Sequence, residues 1–477
     1  MTLPARRPFA CVLGVIVAIV LGTGSAQAAT GPAPLTEAQA QQIGADAYVY
    51  GIPLLEFQRQ RATQTSVTVP NSLSDAPINQ LGNQSKLADA AHQVFVAPNN
   101  DTLYTMAHLD LHKGPLVLHV PKITHHRYYV FEFLDPYTNV FHYVGTRTTG
   151  DGAGDFVIVG PRSHAKLPAG LHVIRAAYNE VWLCGRTLVY GPSDLTATHQ
   201  VQRGYKLIPL KQFEKVGLAY RPPRPGKIVT THTASTIPTG LAFYDALGDA
   251  LAHNPPPTRD RAILSELKTA GIGPGRHPSQ ENLPPAVTAG LKAAVAAGPA
   301  TVFAIRSSII IPSELKHHGW YVAPRDIGNF GTDYNLRAIV AVYGLAANLP
   351  VEAMYPVGSF DSSGALLDGA NRYLIHIPKR DLPPVHYYWS FTAYNQDLYL
   401  VSNPISRYAI NQFTPGVKYN KDGSLDIYVQ STAPAGHVSN WLPSPKSGQF
   451  EVILRMYGPK ASALHDTYDY PAITKSG

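Results

Sequence analysis

The spacing of apolar residues changes period twice along this chain, and that alternation limits the fold more than any other feature. From about residue 94, apolar and aromatic residues recur every second position in short runs at 103–109, 116–120, 127–134, 140–144 and 156–159. Lys113-Gly114-Pro115, Asp135-Pro136 and the glycine-rich stretch 150–154 separate them. Short, regularly spaced, punctuated strands of this kind predict an antiparallel sandwich or jelly roll. From Pro350 onward the same texture returns at 373–377, 387–394, 425–430 and 450–457, with Asp422-Gly423 as a turn signal before one of these runs.

Around these stretches the period is helical. Thr36 is placed to cap a helix starting at Glu37, with Ile43, Ala47, Tyr50 and Leu54 on one face and Pro53 expected to kink or restart it. Near Pro238 helical spacing returns through Leu241, Tyr244, Leu247 and Leu251. Further helices are predicted after Thr258, ending at Gly271, and over 283–297 and 333–348. The expected fold class is therefore mainly β with helical segments (α+β): two antiparallel β-sandwich or jelly-roll modules joined by a helical middle, behind an N-terminal helix. The expected boundaries are 1–28, a signal peptide; 29–75, the N-terminal helical segment; 76–235, the first module; 236–349, the helical middle; and 350–477, the second module.

The leader assignment rests on Arg6-Arg7, the apolar run 11–21 and the small-residue site Ala26-Gln27-Ala28. It predicts export to the periplasm or outside the cell, through either the general or the twin-arginine route. Without Cys11, lost with the leader, one cysteine remains, Cys184, so no internal disulfide can form. Its neighbours Val181-Trp182-Leu183 suit a thiol packed as a small hydrophobe. Charged residues make up 15% of the chain, against roughly a quarter in an average soluble protein. The net charge of +7, two of it from Arg6 and Arg7, is scattered without a basic block, which argues against a nucleic-acid partner. After the leader no uncharged apolar run reaches the roughly 18–20 residues of a spanning helix, so no membrane span is expected once it is removed.

Several strings in order carry a resemblance. They include Ala47-Tyr48-Val49-Tyr50-Gly51, Pro98-Asn99-Asn100-Asp101-Thr102-Leu103-Tyr104, Asp135-Pro136-Tyr137-Thr138-Asn139 and Gly145-Thr146-Arg147-Thr148-Thr149-Gly150. Thr332-Asp333-Tyr334-Asn335-Leu336-Arg337-Ala338, Trp389-Ser390-Phe391-Thr392 and Asn440-Trp441-Leu442-Pro443 continue the series. Together they resemble a largely bacterial two-domain family that pairs domain of unknown function 1254 with domain of unknown function 1214. The resemblance implies two β modules, a helical connection and, often, an export signal; it implies no particular reaction.

Candidate chemistry centres on two acids. Alternation places Glu132 with Tyr128, Val130 and Leu134, so its carboxylate must find a cation, such as Arg147 or Arg186, or carry a raised pKa suited to a general acid. Asp101 follows Asn99 and Asn100 at a strand entrance, where an Asx turn competes with polar-ligand recognition and Tyr104 offers a stacking face. Arg127, Arg147 and Arg186 are candidates to steady developing negative charge. In the second module Trp389 is either core or part of a sugar platform. Arg407 either locks a turn by bonding carbonyls or faces a ligand. Asp333 and Arg337, one helical turn apart, are spaced to pair. No cofactor is expected; His108, His119 and His142, all in predicted strands, are the only combination that suggests a metal, and they lack a His-x-His motif. Two functions follow. One is an exported hydrolase using Glu132 and Asp101 on a polar, carbohydrate-like or amide-bearing small molecule. The alternative is a non-catalytic periplasmic ligand-binding or envelope-interaction protein. Oligomeric state is not legible.

Overall fold

The computed structural model describes residues 34–91 and 96–476; the leader assigned to 1–28 lies outside them. The chain begins with α1 (Glu37–Gln64), whose N-terminus is closed by a reciprocal cap: Gln39 N–H donates to Thr36 Oγ1 at 3.3 Å and Thr36 N–H donates to Gln39 Oε1 at 2.9 Å. The helix does not restart at Pro53, which lies inside its 28 residues. Burial of Tyr50, Ile52, Leu54 and Phe57 around that position supplies the packing that carries the helix through it.

Among the described residues, nine strands precede residue 210: β1 (Gly82–Asn83), β2 (Thr102–Asp110), β3 (Leu116–Val120), β4 (Tyr129–Leu134), β5 (Val140–Gly145), β6 (Gly154–Val159), β7 (His172–Arg175), β8 (Glu180–Leu188) and β9 (Lys206–Pro209). They form two sheets, in the orders β1-β2-β8-β4-β5 and β7-β6-β3-β9. Leu109, Phe131, Phe133 and Leu183 of one sheet share a core with Leu116, Leu118, Phe156 and Ile158 of the other. One pair, β6 with β7, is parallel, so the module is not wholly antiparallel as expected from the sequence.

Two short helices, α2 (Leu195–Gly204) and α3 (Leu210–Val216), flank β9. The helical layer follows, with α4 (Leu241–His253), α5 (Arg261–Lys268), α6 (Pro285–Lys316) and α7 (Tyr334–Tyr343). Alpha1 shares one apolar core with all four, although more than 170 residues separate it from α4 in sequence, roughly the length of a domain. Helix α6 runs well past the predicted end at 297, and α7 stops before the predicted 348, at Gly344. Pro285–Ile310 is long and apolar enough to cross a membrane by length and composition. Here it lies against α1 so closely that a Cβ at Gly298 would meet the Tyr48 ring at 2.4 Å.

The second β region stacks a sheet built on Val385–Asn395 and Phe450–Pro459 against one ordered Trp441–Pro443, Leu425–Gln430, Arg372–Ile377 and Ile473–Ser476. Trp389, Phe391 and Leu454 meet Ile375, Ile427 and Val429 in its core. Trp441–Pro443 and Leu425–Gln430 run parallel. The fold is α+β, with an N-terminal helix and several largely antiparallel sheets.

Candidate functional site

Register across the first sheet decides where its polar side chains meet. Beta4 pairs with β8 so that Glu132 lies opposite Cys184 and Val130 opposite Arg186. Glu132 and Arg186 are thus diagonal neighbours on one face, within reach of each other. Beta2 sets Tyr104 opposite Arg186, and β5 sets Tyr143 opposite Glu132. The same alternation puts Tyr128, Val130 and Leu134 in the core shared with the second module, and Tyr129, Phe131 and Phe133 inside the first sandwich.

Glu132 is fully buried, and Arg186 Nη1 donates to its Oε2 at 2.6 Å. Its Oε1 has no hydrogen-bond partner. Arg186 Nη2 donates to the carbonyl of Ala346 at 2.8 Å, and its guanidinium lies 5.7 Å from the Tyr104 ring centre. Burial pushes the Glu132 carboxyl up to about 7; Arg186 pulls against it, and the charge of Glu352 adds to the rise. Burial likewise pushes the Cys184 thiol up to about 12, which leaves it an inert packed group. Arg147 serves a different acid. Its Nε donates to Glu352 Oε2 at 2.6 Å while Tyr128 O–H donates to Oε1 at 2.7 Å.

Asp101 lies at the entrance of β2 and is also buried. Its carboxylate accepts from Ser390 Oγ at 2.5 Å and Asn411 Nδ2 at 2.8 Å, both in the second β region. Burial raises its pKa against Ser390, Arg455 and Asn411. The preceding segment is an Asx turn: Asp101 N–H donates to Asn99 Oδ1 at 2.5 Å, and Asn99 Nδ2 donates to the Tyr457 hydroxyl at 2.6 Å. Asn100 Nδ2 donates to the carbonyl of Ala88. Asn99, Asp101, Tyr104, Glu132, Arg147 and Arg186 therefore all belong to the polar seam between the two β regions. In this seam each candidate acid is already held by protein donors.

The remaining candidates lie elsewhere. Arg127 donates to the carbonyl of Leu188 at 2.5 Å and pairs with Asp194, so it pins α2 to β8. Trp389 packs on Phe391 with ring centres 5.7 Å apart, inside the second core. Arg407 bonds the carbonyls of Val438 and Trp441 at 2.6 and 3.1 Å, locking a turn. His108 stacks on Trp182 and bonds Gln64, His119 pairs with Asp155, and His142 lies beside Phe133. The three do not converge, and among the described residues no group of three His, Cys, Asp or Glu is arranged to hold a metal. Asp333 does not pair with Arg337: it caps α7 by accepting from Leu336 N–H at 2.9 Å. Arg337 instead lies among the rings of Tyr50, Tyr137 and Tyr334, 5.1 to 5.5 Å from their centres.

Sequence reasoning missed Glu352, Arg455 and Glu180. Arg455 is flanked by Val452-Ile453-Leu454 and Met456, a charge among apolar neighbours like the one that singled out Glu132. It also missed an open groove of about 800 Å³. One wall is Leu55, Gln58, Arg59 and Ala62 of α1, the other Ala246, Asp249, Ala250 and His253 of α4, each set spaced at i, i+3, i+4, i+7. Ser235, Thr236, Ile237 and Glu180 also line it. Glu180 is held by Arg61 Nε at 2.9 Å, Gln58 Nε2 at 2.6 Å and Asn254 Nδ2 at 2.8 Å, while Arg59 pairs with Glu56 at 2.7 Å.

Two largely antiparallel β modules on a shared helical layer, with a polar seam between them, define the class. Family profiles described as Protein of unknown function (DUF1254) and Protein of unknown function (DUF1214) match residues 78–209 and 352–461. The chain belongs to the family that pairs these two domains. A crystal structure of the VPA0106 protein from Vibrio parahaemolyticus is similar, with 21% identity, a TM-score of 0.65, and coverage of 92% of this chain and 100% of that one. An uncharacterized protein from Burkholderia cenocepacia matches at 12% identity and a TM-score of 0.43, over 92% of this chain and 94% of that one. No curated protein matches the chain.

Proposed function

We propose that this chain is an exported, non-catalytic small-molecule-binding protein whose ligand occupies the groove between α1 and α4. The observation that carries this reading is the contrast between the two places. Glu132 and Asp101 are 0% and 1% exposed and held by protein donors, whereas the groove is open and of the size small ligands occupy. Its charges are paired within the protein, Arg59 with Glu56, Glu180 with Arg61 and Asp249 with His277. Its accessible surface combines Ala62, Ile237, Ala246 and Ala252 with the hydroxyls of Ser235 and Thr236. That combination favours an uncharged polar molecule with one apolar face, such as a sugar or an amide. The leader at 1–28 supports a periplasmic or secreted location.

A thermal-shift screen with sugars and amides tests the proposal. A ligand that raises the melting temperature of the wild type should fail to do so in Ala62→Trp, which fills the groove from an exposed position on α1. A shift retained in that variant would place the ligand elsewhere. The hydrolase reading has one observation in its favour, the Glu132 carboxyl near 7 with an unpartnered oxygen. It predicts turnover of a glycoside or amide that disappears in Glu132→Gln, with melting at pH 5 unchanged. On the binding reading no turnover is seen and the ligand-induced shift survives that substitution.

A further inference from the structure

From the start of α3 to the strap that follows it, the chain carries an exposed ridge. Residues 211–228 contain Lys211, Lys215, Arg221, Arg224 and Lys227, with Glu214 as the one acid. All five basic residues are exposed. Among them project Val216, Leu218 and Ile228, which are 43%, 42% and 70% exposed. Isolated exposed hydrophobes are ordinary, but three within thirteen residues, interleaved with unbalanced positive charge, are not.

The ridge is held in place rather than trailing. Below it, Leu210 is buried against Val117 and Val157 of the first module, with Phe213 packed on the same cluster. Beyond it, Thr68 Oγ1 donates to the carbonyl of Lys227 at 2.7 Å, Thr68 N–H donates to that of Val229 at 2.9 Å, and Asn71 Nδ2 donates to that of Thr230 at 2.8 Å. Pro222, Pro223 and Pro225 restrict the intervening backbone to extended conformations. The apolar side chains are therefore presented outward on a pre-formed strap, and their exposure costs no ordering on contact.

We propose that this ridge docks the protein onto the surface of an anionic phospholipid bilayer. Lysine and arginine side chains are drawn to the headgroup phosphates, and Ile228, Leu218 and Val216 enter the apolar boundary just beneath them. The charge complementarity selects an anionic surface, and the outward projection of the apolar groups selects a bilayer over a soluble acidic chain, which offers them nothing to enter. The inference is independent of the ligand groove, so either can fail without the other.

The test is co-sedimentation of protein expressed from Ala29 onward, which retains every described residue. Vesicles of phosphatidylglycerol with phosphatidylcholine are compared with vesicles of phosphatidylcholine alone. Binding is expected to the anionic vesicles only and to fall in high salt. Each neutralised basic residue should weaken it about fivefold, so Lys215→Gln, Arg224→Gln and Lys227→Gln together should weaken it on the order of a hundredfold. Leu218→Ser with Ile228→Ser keeps the charge and should also weaken it, which a purely electrostatic contact would not show. Both variants change exposed side chains, so an unchanged melting temperature confirms that they are folded. The proposal is overturned if the wild type ignores anionic vesicles, if the neutral vesicles bind equally well, or if the variants sediment like the wild type. Capture by soluble polyglutamate with no vesicle binding would overturn it in favour of an acidic macromolecule.

Discussion

Replacing Glu132 with glutamine should alter how stability depends on pH more than it alters stability in acid. In the folded chain this carboxyl is held near 7, above its ordinary 4.5, because burial outweighs the attraction of Arg186. A carboxyl with a raised pKa binds its proton more tightly folded than unfolded. Its favourable contribution is therefore complete below about 4.5 and is lost as pH rises toward and through 7. The interval from 4.5 to about 7 corresponds to roughly 3 kcal/mol. At pH 5 the glutamine is a neutral isostere of a carboxyl that is already largely protonated, and the two proteins should differ little. By pH 8 the wild type should have lost up to about 3 kcal/mol relative to the variant. Denaturant titrations of both proteins at pH 5, 6, 7 and 8 measure this difference. Asp135, raised by burial to about 6, contributes with the same sign, and His108, lowered by burial, with the opposite sign. Both are present in each protein and cancel in the comparison. Parallel pH profiles would refute the argument, because they would mean that Glu132 is ionised throughout and that Arg186 outweighs burial.

Arg147→Ala leaves Glu352 buried with only the Tyr128 hydroxyl on its carboxylate, and should destabilise the chain by about 3 kcal/mol near neutral pH in denaturant titrations. A loss below about 1 kcal/mol would show that the half-exposed arginine is replaced by solvent. Gly298→Leu drives a side chain into the Tyr48 ring, where even a Cβ would approach to 2.4 Å. It should lower stability by about 2 kcal/mol or more through separation of α1 from α6; an unchanged melting temperature would mean that the two helices are not in close contact. Chelator treatment should leave melting unchanged, since the described histidines do not converge on a common point; a marked fall would revive metal binding.

What the sequence made legible was what neighbouring residues decide together. The Thr36 cap and the two faces of β4 each follow from a pattern within a few residues, and each is present. The need of Glu132 for a cation or a raised pKa was legible in the same way; the structure supplies both, through Arg186 and through burial. Alternation reports that a carboxylate faces apolar neighbours, but not what covers it. The cover comes from Ala346, Glu352 and Tyr355, more than 200 residues further along the chain.

The same limit explains the groove and the arginine at α7. Each wall of the groove is an ordinary helical stripe, which in isolation reads as part of a core. It is an opening only because α1 and α4, distant in sequence, are brought side by side with Glu180 between them in the lining. Asp333 and Arg337 had the right spacing to pair, yet the aspartate does more at the helix N-terminus, satisfying a backbone donor. The arginine is then free to turn inward beneath Tyr50, Tyr137 and Tyr334. Those rings come from three strings that carried the family resemblance: Ala47-Tyr48-Val49-Tyr50-Gly51, Asp135-Pro136-Tyr137-Thr138-Asn139 and Thr332-Asp333-Tyr334-Asn335-Leu336-Arg337-Ala338. Their convergence on one guanidinium joins α1, the first β module and α7 at a single point. The aromatic strings thus tie α1 to the first β module and to α7. A string can mark a family strongly, then, because it sets how layers meet, without any of its residues touching a ligand.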